Sequence, residues 1–155
     1  MKKLFFILFI GVILVGCHPA SIKEKIADKI ESKCRGIDSC TTTINIQEVT
    51  DFKWDRLYLF TIGASLEDVN KALGFDYPYF EDIASRVVFT LGNKIVYHED
   101  EFPNPKTKPT AGVIFRYIDN DIMHSYNFGN AVFNVTKTVV NGYKYYELTP
   151  KSSGR

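Results

Sequence analysis

The chain lacks almost everything that marks an enzyme on sight. It has three histidines, His18, His98 and His124, scattered along 155 residues. No His-Glu-x-x-His pair, Gly-x-Ser-x-Gly elbow or glycine-rich phosphate loop occurs in it. An excess of one charge is missing too: 19 Lys and Arg stand against 18 Asp and Glu, a net of +1. That leaves no basic face of the kind nucleic acid requires. No apolar run approaches the ~20 residues that a spanning helix needs; the run from Leu4 to Val15 has 12. There is no internal repeat, no low-complexity tract and no second domain boundary. The length suits one compact domain. No cofactor, metal or nucleic-acid partner is expected.

Aromatics, by contrast, are plentiful, with 12 Phe and 9 Tyr. Such a chain can fill a core and still leave rings for a binding surface. The N-terminus is the most specific stretch. Lys2 and Lys3 precede the 12-residue apolar run, and the run ends Leu14-Val15-Gly16-Cys17. A positive start and an apolar segment of ~7–15 residues make a secretory signal rather than a membrane span. The Leu-Val-Gly-Cys end resembles a bacterial lipobox. The resemblance implies that residues 1–16 are removed, that the Cys17 thiol takes a diacylglycerol, and that the new amine is acylated. Two or more acyl chains anchor a protein stably, whereas one does not. His18 rather than Asp follows the cysteine, which by resemblance to enterobacterial sorting implies the outer membrane, facing the periplasm. Residues 17–21 then form the lipidated tether. Loss of Lys2 and Lys3 leaves 17 basic and 18 acidic residues, a net of −1.

Cys34 and Cys40 remain. In an oxidising compartment an even pair reads as a disulfide, with Gly36 allowing the small loop to close. The rival reading is a metal site, for which two cysteines without a neighbouring histidine supply half the usual ligand set.

The pattern along the rest predicts an α+β domain over residues 22–150, with an antiparallel meander of roughly six to eight strands and two short helices on one face. The first helix is expected over 22–33, with an Ile22, Ile26, Ile30 stripe and a capping box from Ser21 to Glu24. Its stripe could serve a partner or a membrane surface, but so few bulky residues suit docking on a sheet. Thr42, Ile44 and Ile46 alternate as a strand, and Asp55–Phe60 forms another. The sole Trp54 between them is either an exposed anchor or, more commonly, a partly buried ring with its N–H satisfied. Ser65, Asp68 and Gly74 bracket the second helix, whose apolar face is Leu66, Val69 and Leu73. Strands then flank turns at Gly92-Asn93, at Asp119-Asn120-Asp121 and at Asn141-Gly142, the last being the strongest hairpin signal. The segment from Glu99 to Thr110, with prolines at 103, 105 and 109, is expected as a polar loop. Residues 151–155 should fray.

The Ile62-Gly63-x-Ser65-x-Glu67-Asp68-Val69…Leu73-Gly74 segment resembles small outer-membrane lipoproteins of the SmpA/OmlA type, over about a dozen residues. That family packs short helices on a small antiparallel sheet and assists barrel assembly. The chain departs from it in having two strands before the motif and a longer meander after it. The Phe52–Phe60 segment with the following helix also resembles bacterial envelope lipoproteins, and implies no activity.

Three places could carry function. His98-Glu99-Asp100-Glu101 combines an imidazole with three carboxylates, but neighbours on an extended strand point to opposite sides and cannot all converge on a cation. It is expected as a solvated acidic rim, and Glu99, Asp100 and Glu101 are candidates to enter a basic cleft on a partner. Tyr77-Pro78-Tyr79-Phe80 concentrates aromatics as protein-binding surfaces do, so Tyr77, Tyr79 and Phe80 are also partner-binding candidates. Tyr143, Tyr145 and Tyr146 read more simply as cross-strand pairing. His124, alone on an apolar strand, is expected to be structural. The leading expectation is therefore a non-enzymatic envelope lipoprotein that binds a periplasmic or outer-membrane protein, as an assembly accessory or as an immunity protein or inhibitor. The alternative is a cell-wall or lipid-acting hydrolase using Asp51, Asp55 or Glu99, which needs a carboxylate pair across a cleft. A carrier of small ligands or lipids ranks last.

Overall fold

The computed structural model describes residues 20–104, 106–117 and 121–151. The signal segment 1–16, Cys17 and residues 152–155 of the expected tail lie outside them. Among the described residues no helix is long and apolar enough to cross a membrane.

The fold is α+β. Helix α1 spans Ile22–Cys34 and opens on the expected capping box: Ser21 Oγ accepts from Glu24 N, and Glu24 Oε2 accepts from Ser21 N. Ile22, Ile26 and Ile30 are buried, as docking requires. Strand β1 (Cys40–Asn45) follows, tied to the end of α1 by the Cys34–Cys40 disulfide. Closing so small a loop contributes on the order of 2 kcal/mol by constraining the unfolded chain. Ile46 is buried but sits in a short 3-10 turn rather than on the strand, because Asn45 Oδ1 caps Gln47 N and stops the extension.

Strand β2 (Arg56–Phe60) leads to helix α2 (Leu66–Leu73). Ser65 and Asp68 form its capping box, and Gly74 ends it at φ 78°, a conformation that costs glycine little. Strands β3 (Ser85–Leu91) and β4 (Lys94–Glu101) make a hairpin about Gly92-Asn93. Strand β5 (Val113–Phe115) is short, β6 covers Met123–Asn127, and β7 (Val132–Val140) and β8 (Tyr143–Pro150) close the chain. The β7–β8 turn has φ 51° at Asn141 and 77° at Gly142, the backbone that an Asn-Gly hairpin demands.

The eight strands divide into two sheets rather than one meander, ordered β1-β7-β8-β5 and β4-β3-β2-β6. The expected Asp119-Asn120-Asp121 turn falls mostly outside the described residues, and the strands on either side of it form no hairpin: β5 pairs parallel with β8, while β6 pairs with β2. A turn signal reports local reversal only, and the free edges of two different sheets decide the pairing. The sheets share a core in which Ile44, Phe133, Val135, Tyr146 and Leu148 face Leu57, Leu59, Val87, Phe89 and Tyr126, with α1 completing it. Helix α2 instead covers the outer face of the second sheet, packing Val69 and Leu73 with Phe60 and Val88. The helices thus serve different layers. Strand β3 is buried on both faces, which explains its unbroken Val-Val-Phe run.

Trp54 is buried, its Nε1 donates to Thr50 Oγ1 at 3.0 Å, and its ring meets Phe89 edge-on. Buried Lys137 is paired with Glu31 of α1 at 2.7 Å, and Glu31 also takes hydrogen bonds from Lys144 and Tyr146.

Candidate functional site

The expected acidic rim is not a rim. Strand β4 runs on through Glu101 because Ser85–Arg86 of β3 keep pairing with it, so the carboxylates belong to a sheet and alternate across it. Glu99 and Glu101 face α1. Glu99 accepts from Tyr97 Oη at 2.7 Å, and Tyr97 Oη in turn accepts from Ile22 N at 2.9 Å. Glu101 pairs with Lys23, a lysine with 4% of its surface exposed, and accepts from Thr110 N at 2.6 Å. Burial alone would raise the Glu101 carboxyl, but these partners outweigh it and hold it below the usual range. Glu99, Asp100 and Glu101, the candidates for a basic partner, are half-buried, and each has a partner within the fold.

Asp100 and His98 face the other way, toward the chain that leaves α2. There the structure brings together the aromatic candidates. Asn70 Oδ1 accepts from Tyr77 N at 2.8 Å and fixes the turn after Gly74. Tyr77 turns inward and is buried, its hydroxyl 3.5 Å from Asp100 Oδ1. Burial, reinforced by the Asp100 carboxylate, pushes that hydroxyl's pKa up. Tyr79 turns outward and lies flat on His98, with ring centroids 4.0 Å apart and planes 13° from parallel. Phe80 lies over the Arg86 guanidinium, 4.2 Å from ring centroid to carbon.

Arg86 is the residue that sequence reasoning missed. It is almost wholly buried, with Nε 3.2 Å from Asp100 Oδ2 and Nη1 donating to Ala84 O. Its Nη2 is buried with no hydrogen-bond partner among the described residues. Burial pushes Asp100 above the ordinary aspartate range; Arg86, His98 and Tyr77 pull the other way and offset this only in part. A signal existed in the charge that directly precedes the apolar β3 run, but its partner was hidden. The two-residue turn predicts Arg86 opposite Glu99. A bulge between Phe89 and Thr90 shifts the register by one and sets it opposite Asp100.

Above them lies a recess of about 440 Å³, walled by Tyr79, Phe80, His98 and Phe102 and lined also by Glu81, Glu99 and Asp100. Through Asp100 and Phe102 it adjoins a larger groove of about 730 Å³, bounded by Ile62, Ser85 and the Pro103–Thr110 loop. The arrangement offers flat aromatic faces, an exposed imidazole and a cation held beneath them. Those are the means to seat an apolar or aromatic side chain and orient it by a few polar contacts.

Asp51, Asp55 and Glu99, the carboxylates expected for hydrolysis, each have a partner of their own. Asp51 pairs with Lys25, Asp55 accepts from Thr90 Oγ1 and Gly92 N, and Glu99 is engaged by Tyr97. Ser65 is bound to Asp68 as a cap. His124 is buried beside Tyr117. Tyr146 is buried while Tyr143 and Tyr145 face outward, as their alternation predicts. Among the described residues no group of three or more His, Cys, Asp and Glu is placed to hold a metal ion. No family model, no curated protein and no solved structure matches the chain.

Proposed function

We propose that the chain is a lipid-anchored envelope protein, attached through Cys17 to the outer membrane and facing the periplasm, that works without catalysis by binding a protein partner in the Tyr79–His98 recess. One observation carries the binding reading: Tyr79, a large and half-exposed ring, is held flat on His98 above the Phe80–Arg86–Asp100 stack. An exposed tyrosine presented at fixed orientation loses little freedom on contact, which is why such rings dominate the energetics of protein interfaces. The role is that of an assembly accessory or of an immunity protein that occupies an incoming toxin or lytic enzyme. The lipobox resemblance supports the location.

The test is affinity capture of the full-length lipidated protein from gently solubilised membranes, beside Tyr79→Ala and His98→Ala variants shown to fold by circular dichroism. One stoichiometric partner, lost in both variants, supports the reading. A partner retained by both variants, or none in a clean preparation, rejects it.

A further inference from the structure

We infer that the apolar rim of the groove rests on the bilayer surface, so that the lipid anchor and the side chains of Ile62, Ile83, Phe102 and Ile122 together hold the domain in one orientation. The inference rests on the anchor reading at Cys17 and goes beyond it, since a tether alone leaves a domain free to tumble.

The rim is made by topology. Phe60 ends β2, Ser85 begins β3, Glu101 ends β4 and Met123 begins β6. Antiparallel pairing sets these four termini side by side: Arg86 stands opposite both Phe60 and Asp100, and Phe60 stands opposite Met123. One or two residues beyond each terminus comes a large apolar side chain. Ile62, Ile83, Phe102 and Ile122 are each between 42% and 59% exposed. Ile62 and Phe102 line the groove itself, and Ile122 O accepts from Thr61 N. Four distant segments thus contribute to one exposed apolar edge, which is the mark of an interaction surface.

The start of the domain leads to the same edge. Ile22 N is bonded to Tyr97 Oη, and Lys23 is paired with Glu101, the residue before Phe102. Between Cys17 and Ile22 the chain advances five residues, a reach of about 17 Å at full extension. With acyl chains on Cys17, this edge is kept within a tether's length of the headgroups. The far end of the sheet is not, because the seven residues of β3 from Ser85 to Leu91 span about 20 Å. Within the groove Asp100 is paired with Arg86 and Glu101 with Lys23, so closing it strands neither; exposed Asp82 and Asp121, next to Ile83 and Ile122, stay in the hydrated headgroup layer. Lys106 on the adjoining loop is exposed and supplies a cation for anionic headgroups, while the Lys108 ammonium lies against the Tyr143 ring. Branched and aromatic side chains flanked by a lysine suit the bilayer interface.

The test uses the full chain, with single cysteines introduced as Ile83→Cys, Phe102→Cys, Leu91→Cys or Phe128→Cys and labelled with a nitroxide. The protein is reconstituted in vesicles of phosphatidylethanolamine and phosphatidylglycerol. Mass spectrometry of the N-terminal peptide first establishes whether Cys17 carries its acyl groups. The expected result is that probes at 83 and 102 lose collisions with an aqueous nickel chelate and gain them with oxygen, while those at 91 and 128 stay aqueous. Acylated protein with all four probes equally open to nickel overturns the inference and leaves the anchor intact. An unmodified Cys17 overturns the anchor reading itself. Shielding of 83 and 102 in native membranes but not in these vesicles assigns the rim to a protein partner, and overturns the inference as well.

Discussion

Arg86 sits with 1% of its surface exposed in a strand whose next three residues are apolar, and its charge is met by one carboxylate and two rings. Removing one partner of a buried pair leaves the other charged and unmatched, at a cost of about 3 kcal/mol. Arg86→Met is therefore expected to lower the unfolding free energy by about that much in a urea titration, and adding Asp100→Asn should restore most of it. If the single and double variants are equally unstable, the ion pair is not what the aromatic stack is built on. Ile83 presents the opposite situation. It holds φ at 60°, a region that a β-branched residue avoids, and its side chain is spent on solvent. Ile83→Gly should raise stability by about 1 kcal/mol by relieving that strain. A thermal melt that fails to rise would show that the loop accepts this backbone without strain. The sequence exposed neither feature: left-handed isoleucine has no local signature, and the partner of Arg86 depends on a bulge one strand away.

Among the elements, α1 shows how much a helix face can carry besides its apolar stripe. Glu31 lies under Lys137, Lys144 and Tyr146. Burial alone would raise its carboxyl, but their hydrogen bonds outweigh that and bring it from 4.5 down to about 2. A carboxyl lowered in the folded state contributes stability above its unfolded value, and that contribution fades as pH falls through the folded value. Glu31→Gln is thus expected to destabilise at neutral pH, by about 3 kcal/mol because it leaves Lys137 buried and unpaired. The gap from wild type should narrow as pH falls from 4.5 toward about 2. Denaturant titrations across that range check it; a gap independent of pH would place the cost elsewhere. The capping boxes at Ser21 and Ser65, the Gly74 stop and the Asn141-Gly142 hairpin were legible because each depends on residues close in sequence. The continuation of β4 to Glu101 was not. Its three carboxylates read as solvent-facing until Lys23 and Arg86, distant in sequence, are brought to Glu101 and Asp100, and Tyr97, two residues away on the same strand, turns its hydroxyl to Glu99.

At the scale of the molecule, the alternating patterns predicted an α+β domain, and the domain is one. Alternation says that a strand has an inner face; it does not say which sheet supplies the opposing layer. The division into two sheets with a shared core follows from long-range pairings such as β1 with β7 and β2 with β6. The same division places the recess at one end of the second sheet, where Tyr79 meets His98 beside the groove and its apolar rim. Tyr77, Tyr79 and Phe80 were visible as an aromatic concentration. That Tyr77 and the Phe80-stacked Arg86 meet Asp100 required the bulged register. The recess is proposed to receive a protein partner. Photocrosslinking tests it most directly: benzoylphenylalanine replaces Tyr79 in the full-length chain, with a control at exposed Leu91 on the opposite end of the sheet, and both are irradiated in the native envelope. One discrete heavier adduct from position 79 and none from position 91 is the expected result. No adduct at 79, or the same adduct from both positions, would contradict it.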